Sequence, residues 1–163
     1  MADDRHFART IRLDATDSQC FASAAAPGEW AISGAFLFAD MAPSALAAKD
    51  RLAFGQGFLG TESFGWSTFV AVHTISQEEY VQLKRALSDR FVRQLGAPSP
   101  AAAETVAEEE MRFMAELCGE HPVNQLLRVE REFGEDGVIE RITAIAKPDP
   151  LSHAKIWDIV PDA

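Results

Sequence analysis

Three things are scarce in this sequence: cysteine, tyrosine and positive charge. Its 163 residues contain two cysteines, one tyrosine, and 15 Lys and Arg against 25 Asp and Glu. Two cysteines are too few for the disulfide framework of a cysteine-rich secreted domain. We therefore expect free thiols in a reducing compartment.

The formal net charge of −10 and the lack of long apolar runs argue against two further classes of protein. An acidic protein is repelled by phosphate backbones and by anionic lipid, so nucleic-acid and membrane-surface roles are disfavoured. No apolar run approaches the ~20 residues that span a bilayer. The opening residues, MADDRHFART, are acidic and polar where a secretory signal is basic and then apolar. The predicted location is the cytoplasm, with neither a nucleic acid nor a membrane as partner.

Apolar residues are abundant enough for a self-sufficient core. They make up 47% of the chain and include 11 Phe and three Trp. The length is that of one domain, and no internal repeat or low-complexity linker divides the sequence. We predict a single α+β domain over residues 1–151, followed by an apolar C-terminal segment over residues 152–163.

Hydrophobic alternation predicts five strands, over residues 6–13, 29–38, 65–75, 125–133 and 138–147. Three helices are predicted between them, with start signals at Pro43, Ser76 and Ser99. The resulting order is β-β-α-β-α-α-β-β. Hairpins at each end and helices in the middle predict a mostly antiparallel sheet with the three helices packed mainly on one face.

Residues 55–60, GQGFLG, have the Gly-x-Gly-x-x-Gly spacing of a dinucleotide-binding turn. Such a turn follows a strand and begins a helix, whose free amides bind the pyrophosphate. Here the order is reversed, because Gly55 is predicted to end a helix and Gly60 precedes a strand. The motif is interpreted as a helix cap and a tight connection, with a phosphate cradle as the alternative, and no cofactor is predicted.

Cys118 and His121 form a Cys-x-x-His pair at the end of the third predicted helix. A closed zinc site needs four ligands, and no second pair of ligands stands at a comparable spacing. The pair is a weak metal candidate. The preferred interpretation is a small apolar cysteine beside an exposed histidine.

Three residues of the predicted sheet are candidates for lining a pocket: Trp30, Trp66 and His73. His73 lies in the most apolar strand, where a histidine can act as a general base or hydrogen-bond within the core. Ser67 is on the same face but about 20 Å away along the strand, too far for a nucleophile–base pair. No catalytic residue is predicted.

Charged residues alternate along the last predicted hairpin. Its arginines at 128, 131 and 141 are interleaved with glutamates at 130, 132 and 140. Opposite charges that face each other suit cross-strand pairing. The hairpin is therefore interpreted as having a solvent-exposed charged face.

The C-terminal segment carries three large apolar residues, Ile156, Trp157 and Ile159. They need to be buried, either on the chain's own sheet or on another subunit or protein. Tryptophan is a common hot-spot residue of protein interfaces. These three residues are the candidate interface.

Four segments resemble a small bacterial family of uncharacterised proteins: FARTIRLD (7–14), EWAISGAF (29–36), GFLG with GWSTFV (57–60 and 65–70), and the EEE…LC segment (108–118). The resemblance covers nearly the whole chain and implies no activity and no catalytic residues. Members of such families are encoded near accessory genes of redox metalloenzymes, which implies an accessory role by association.

Two functions stay open at this point. The first is a non-enzymatic accessory or protein-interaction domain that forms a homo-oligomer and has a further protein as a possible partner. The alternative is a small-molecule-binding domain or enzyme with a pocket between sheet and helices. The first is preferred because the sequence shows no metal quartet, no nucleophile–base pair and no phosphate loop in a suitable context.

Overall fold

The computed structural model describes residues 5–11, 21, 23–38, 44, 46 and 50–145. Within them the chain forms, in order, β1 (Arg5–Ile11), β2 (Trp30–Ile32), a 3₁₀ turn (Ala35–Phe38), α1 (Arg51–Gln56), β3 (Phe58–Gly60), β4 (Trp66–Ser67), β5 (Phe69–Ile75), α2 (Gln77–Leu95), α3 (Pro100–Gly119), β6 (Leu126–Gly134) and β7 (Gly137–Ile145).

The strands of the described residues form one antiparallel sheet in the order β4-β3-β2-β1-β5-β6-β7. β1 lies near the centre and pairs along its seven residues with β5. β6 and β7 pair over nine residues at one edge. The predicted α+β class, with an antiparallel sheet and three helices, is confirmed for the part of the chain that the structure describes.

The order of elements differs from the predicted one because the sheet has two more strands. β3 is a three-residue strand that is buried at every position, so its sequence shows no alternation. The predicted strand over residues 65–75 divides at Thr68 into β4 and β5. The predicted strand over residues 29–38 ends at Ile32, since Gly34 adopts a φ of +82° and the chain continues as the 3₁₀ turn.

α1 extends beyond the glycine that was expected to end it. Gly55 lies inside the helix, and Gly57 is the C-cap. The Gly57 amide donates to the Ala53 carbonyl at 2.9 Å, and a Cβ at Gly57 would lie 2.8 Å from that oxygen and 2.8 Å from Trp66. This close approach requires glycine. Pro43, the predicted start, lies outside the described residues.

The two long helices begin at the predicted caps. Ser76 and Glu79 form a complete capping box at α2, and the Ser99 hydroxyl accepts from the Ala102 amide at α3. The last residue of α2, Leu95, does not join the buried face of the helix. Leu95 is 42% exposed, because the helix ends there and the chain turns away at the next residue.

The buried stripes of the two helices meet each other and the sheet. The buried residues are Tyr80, Leu83, Leu87 and Phe91 on α2, and Ala103, Ala107, Met111, Met114 and Cys118 on α3. α3 packs across β1, where the small side chain of Ala8 is fully buried. Among the described residues, none of the helices has the length and the apolar character needed to cross a membrane.

The sheet curls, so that the far end of β6 reaches α1. Phe133 of β6 stacks on Phe54 of α1 with ring centroids 4.2 Å apart. Phe54 in turn meets Phe38 edge to face at 5.1 Å. This aromatic cluster joins the hairpin of β6 and β7 to the segment between β2 and β3.

The loop after the glycine motif encloses a carboxylate of the protein itself. Glu29 is 3% exposed, and its carboxylate accepts from the amides of Ala26, Glu62 and Ser63 at 2.7 to 2.9 Å. A Cβ at Gly60 would lie 2.6 Å from this carboxylate. The loop amides of Glu62 and Ser63 therefore already have an anionic partner, and the glycine allows the close packing. These contacts favour the interpretation of residues 55–60 as a tight connection over a phosphate cradle.

Glu29→Gln is expected to destabilise the protein in a pH-dependent way. Burial raises the pKa of Glu29, but the hydrogen bonds from Ser63, Ala26 and Glu62 outweigh it and leave the pKa below its ordinary value. The carboxylate therefore stabilises the fold above its unfolded-state pKa, and this contribution is lost as the pH falls through the folded-state pKa. We expect a loss of about 2–3 kcal/mol in the free energy of unfolding at neutral pH.

Urea denaturation at a series of pH values measures this effect. The difference between wild type and Glu29→Gln should shrink as the pH falls below about 4. Glu104→Gln, on the exposed side of α3, is the control and should change stability by less than about 0.5 kcal/mol at any pH. A Glu29→Gln effect that does not vary with pH would contradict the expectation.

Candidate functional site: the outer edge of β7

β7 is one of the two edge strands of the described sheet, and none of its residues is buried. Its nine residues extend over about 30 Å. No other strand in the described part of the chain pairs with its outer edge. Ile139 is 49% exposed there, more than any other exposed large apolar side chain of the described residues. The strand therefore presents unpaired backbone groups beside an exposed apolar side chain.

Arg131 anchors this edge from inside the protein. Its side chain is 0% exposed, and its Nε donates to Glu140 Oε2 of β7 at 2.7 Å. Its terminal nitrogens donate to the carbonyls of Phe54 at 2.9 Å, of Gly57 at 2.8 Å, and of Ser33. The Ser33 hydroxyl donates to the same Glu140 oxygen at 2.5 Å. One guanidinium thus ties together β6, β7, the end of α1 and the turn after β2.

The interpretation of the charged residues of the hairpin as a solvent-exposed face is wrong at Arg131. Cross-strand pairing of opposite charges is confirmed for Arg131 with Glu140 and for Glu130 with Arg141. It is wrong for Arg128 and Glu132, which face Thr143 and Ile139. The curl of the sheet brings the carbonyls of α1 over Arg131 and buries it, whereas Arg141 stays exposed. Because these acceptors are distant in the sequence, the local alternation of charge does not predict the burial of Arg131.

Glu110 of α3 adds a second carboxylate beside this ion pair. Burial, together with the negative charges of Glu140 and Glu109, raises the pKa of Glu110 to about 7, and the Arg131 charge offsets this only in part. The side of α3 that carries Glu110 therefore lies close to the hairpin. Near neutral pH this carboxyl group is therefore partly protonated.

Glu110→Gln is expected to stabilise the protein at alkaline pH. The folded-state pKa of Glu110 lies above its unfolded value, so the native state binds more protons and stability falls as the pH rises between about 4.5 and 7. Glutamine carries no charge at any of these pH values, so it removes the cost of burying the ionised carboxylate. The free energy of unfolding of the variant should therefore exceed that of wild type by about 1–3 kcal/mol above pH ~7.5, and by little below pH ~4.5. Denaturant titrations at both pH values measure the difference. A variant that is less stable than wild type at alkaline pH would contradict the expectation.

α3 also carries exposed apolar side chains. Val106 lies four residues before Glu110 and Phe113 lies three residues after it, so all three share one side of the helix. Val106 is 38% exposed and Phe113 is 43% exposed. Val106 and Phe113 thus form an apolar strip on the side of α3 whose Glu110 interacts with Glu140 of β7.

Two of the three predicted pocket residues lie on the strands that flank β1. Trp30 on β2 pairs with Arg9 of β1, and His73 on β5 pairs with Phe7, two residues earlier on β1. The Arg9 guanidinium is 3.7 Å from the Trp30 ring centroid. Burial and the charge of Arg9 lower the pKa of His73. Trp66 lies on β4, where it packs against Gly34.

Cys118 and His121 lie where α3 ends. Cys118 is fully buried, and burial raises the pKa of its thiol to about 12, so the thiolate that a metal needs is disfavoured. The backbone carbonyls of Cys118 and His121 accept from His6 Nδ1 at 3.2 and 2.9 Å. Within the described ranges, no three His, Cys, Asp or Glu side chains are grouped so that they could hold a metal ion.

Residues 5–156 match a protein family described as a family of unknown function, DUF6505. The chain belongs to DUF6505. The resemblance to a family of uncharacterised proteins is thereby confirmed, and membership of DUF6505 brings no assigned activity. Neither the curated proteins nor the solved structures gave a match.

The DUF6505 match contains every described residue and ends within the C-terminal segment. The candidate interface residues Ile156, Trp157 and Ile159 lie outside the described residues. The separate docking of residues 152–163 stays a prediction.

Proposed function

We propose that this DUF6505 protein is a non-enzymatic, cytoplasmic protein-interaction domain whose partner is a second copy of itself, paired through β7. The outer edge of β7 carries the proposal, because it is long, exposed and unpaired within the described residues. Buried contacts of Arg131 hold it in a fixed shape. An edge that is held rigid and left open suits strand addition by a partner.

The charges of β7 favour one register for this pairing. In a continuous antiparallel sheet built by a two-fold axis, the central residue of the strand pairs with itself in the second copy. A centre at Glu140 or Arg141 would oppose like charges, which is unfavourable. A centre at Ile142 instead places Ile139 opposite Ile145 of the second copy and Arg141 opposite Thr143, without any like-charge pair.

The apolar strip of α3 adds area to the same contact. Pairing about Ile142 brings the two copies of β7, and with them the two α3 helices, toward the two-fold axis. Packing of the helices mainly on one face of the sheet, as predicted from the sequence, would place Val106 and Phe113 of both copies on the same side of the joined sheet. We further propose that the dimer has an accessory role and that the C-terminal segment, residues 152–163, makes an additional contact with the second copy or with a partner protein.

Sedimentation velocity over a range of protein concentrations tests the proposal. We expect a concentration-dependent dimer, both for the full chain and for a chain that lacks residues 152–163. A protein that stays monomeric at all concentrations would contradict it. A dimer that disappears with residues 152–163 would move the interface from β7 to the C-terminal segment.

The alternative function, binding of a small molecule, is favoured by a different part of the molecule. A cleft of about 550 Å³ between β1 and α3 is lined by Arg5, His6, Glu108 and Arg112, whose charges suit a charged small molecule.

A further inference from the structure

One flank of α3 is partly exposed in the described part of the chain, and it lies next to β7. Val106 and Phe113 are 38% and 43% exposed on this flank. Leu117, four residues beyond Phe113, shares the flank, and both it and Ile142 of β7 pack at the margin of the main buried cluster. The opposite flank carries the glutamates that pair with Lys84 of α2. The apolar strip of α3 thus borders a corner that a further apolar segment can cover.

α3 and β7 run in the same direction. Glu110 of α3 lies near Glu140, in the middle of β7. Beyond the end of α3, Gln125 donates from Nε2 to the carbonyl of Ile145, the last residue of β7, at 2.8 Å. The C-terminal half of α3 therefore points toward Ile145. Val106, in the N-terminal half, lies toward the hairpin loop at the other end of β7.

The proposed pairing of two copies determines where the chain leads after Ile145. In the register centred on Ile142, Lys147 falls opposite Gly137 of the second copy, where that copy's strand begins. Pro148 follows directly in the sequence. Because proline has no amide for strand pairing, the sequence stops a strand at the position where the second copy has no further strand to pair with.

The charges beside this position are complementary. The hairpin loop carries Glu135 and Asp136, which are exposed and form no ion pair among the described residues. Lys147 of one copy would lie beside this acidic loop of the second copy. Within a single chain, the register of β6 and β7 would instead place Lys147 opposite the neutral Asn124. The charges therefore direct the chain toward the second copy.

The apolar residues that follow can reach the strip of α3 in that copy. Nine residues separate Lys147 from Ile156, and they span up to about 30 Å when extended. The strip from Val106 to Phe113 is only about 10 Å long. Its nearer end, Val106, lies toward the hairpin loop at which Lys147 arrives. Trp157 is of the residue type that most often anchors such a contact.

We propose that residues 152–163 of each copy dock on the apolar strip of α3 of the second copy, so that the two copies exchange their C-terminal segments. Ile156, Trp157 and Ile159 then cover Val106 and Phe113. The inference rests on the proposed function, because the register of β7 directs the segment. It adds the occupant of the strip, whereas pairing through β7 does not itself require the segment.

Crosslinking between the segment and α3 tests the proposal. In a Cys20→Ser background, Glu109→Cys and Asp158→Cys are combined in one chain, because Glu109 lies beside the strip and both changes keep its apolar residues. Cys118 is buried and does not compete. With a short bifunctional maleimide we expect a covalent dimer on a denaturing gel. A crosslink confined to one chain, which places the segment on its own α3, or no crosslink at all, would overturn the proposal.

Arg93→Cys combined with Asp158→Cys is the matched control. Arg93 is an exposed residue of α2, away from the strip. We expect no covalent dimer from this pair. A yield equal to that of the Glu109→Cys pair would show that the segment has no preferred docking site, which would also overturn the proposal.

Reversal of charge tests the direction of the chain. Lys147→Glu should weaken the dimer by at least ~5-fold, because each dimer contains the contact twice. Adding Glu135→Lys to this variant should restore the dissociation constant to within about twofold of wild type. If the second change fails to restore it, the segment does not cross beside the loop.

Pairing through β7 is measured separately, by the disulfide that two copies of Ile142→Cys form. If this disulfide forms and the Glu109→Cys, Asp158→Cys pair gives no covalent dimer, the exchange of segments is wrong while the pairing stands. If neither forms, both proposals are wrong.

Discussion

Replacing Arg131 with methionine is expected to lower the free energy of unfolding by about 3–5 kcal/mol. Methionine fills a similar volume but donates no hydrogen bond. The carbonyls of Ser33, Phe54 and Gly57 lose a donor, and Glu140 keeps a charge without its partner. Glu140 would then lie near Glu110 with no cation between them, which adds repulsion.

Arg141→Met is the matched control on the same hairpin. Arg141 carries the same charge on β7, pairs with Glu130 across the strands, and is exposed. An exposed pair of this kind contributes at most about 0.5–1 kcal/mol. Guanidinium chloride denaturation compares the two variants directly. Equal losses of stability in both would show that Arg131 does not anchor the hairpin.

Replacing Ile139 with lysine is expected to weaken dimer formation by at least about tenfold. In the register centred on Ile142, each dimer contains two contacts between Ile139 and Ile145, so one substitution removes apolar burial twice. Lysine at a strand edge also opposes the addition of a further strand. The dissociation constant from sedimentation velocity measures the effect.

Leu95→Lys is the matched control for this change. Leu95 is also a large apolar residue with a similar exposure, but it lies at the end of α2. We expect it to leave dimer formation unchanged. A weaker dimer with Leu95→Lys and an unchanged dimer with Ile139→Lys would place the interface elsewhere.

Features that depend on neighbouring residues could be predicted from the sequence. The capping box of Ser76 and Glu79 and the N-cap of Ser99 involve residues three positions apart, so local chemistry decides them. The hairpin of β6 and β7 follows from two apolar alternations that flank Gly134 and Gly137. The fold class follows from the order of these elements.

Features that depend on the curl of the sheet could not be predicted. Arg131 and Glu29 look like ordinary charged residues in the sequence, because their buried partners come from distant turns. β3 is too short to show a period. The candidate site could not be predicted for the same reason. The sequence shows that Ile139 is apolar, but its place on an edge strand depends on long-range strand pairing.

Disulfide crosslinking at Ile142 tests the pairing of two copies through β7 most directly. In a Cys20→Ser background, Ile142→Cys places two thiols across the two-fold axis with their Cα atoms about 5 Å apart, which a disulfide can bridge. Ile139→Cys places its thiols about 20 Å apart, beyond reach. After mild oxidation we predict a covalent dimer for Ile142→Cys and a monomer for Ile139→Cys on a non-reducing gel. A monomer for Ile142→Cys, or equal crosslinking of both variants, would contradict the proposed interface.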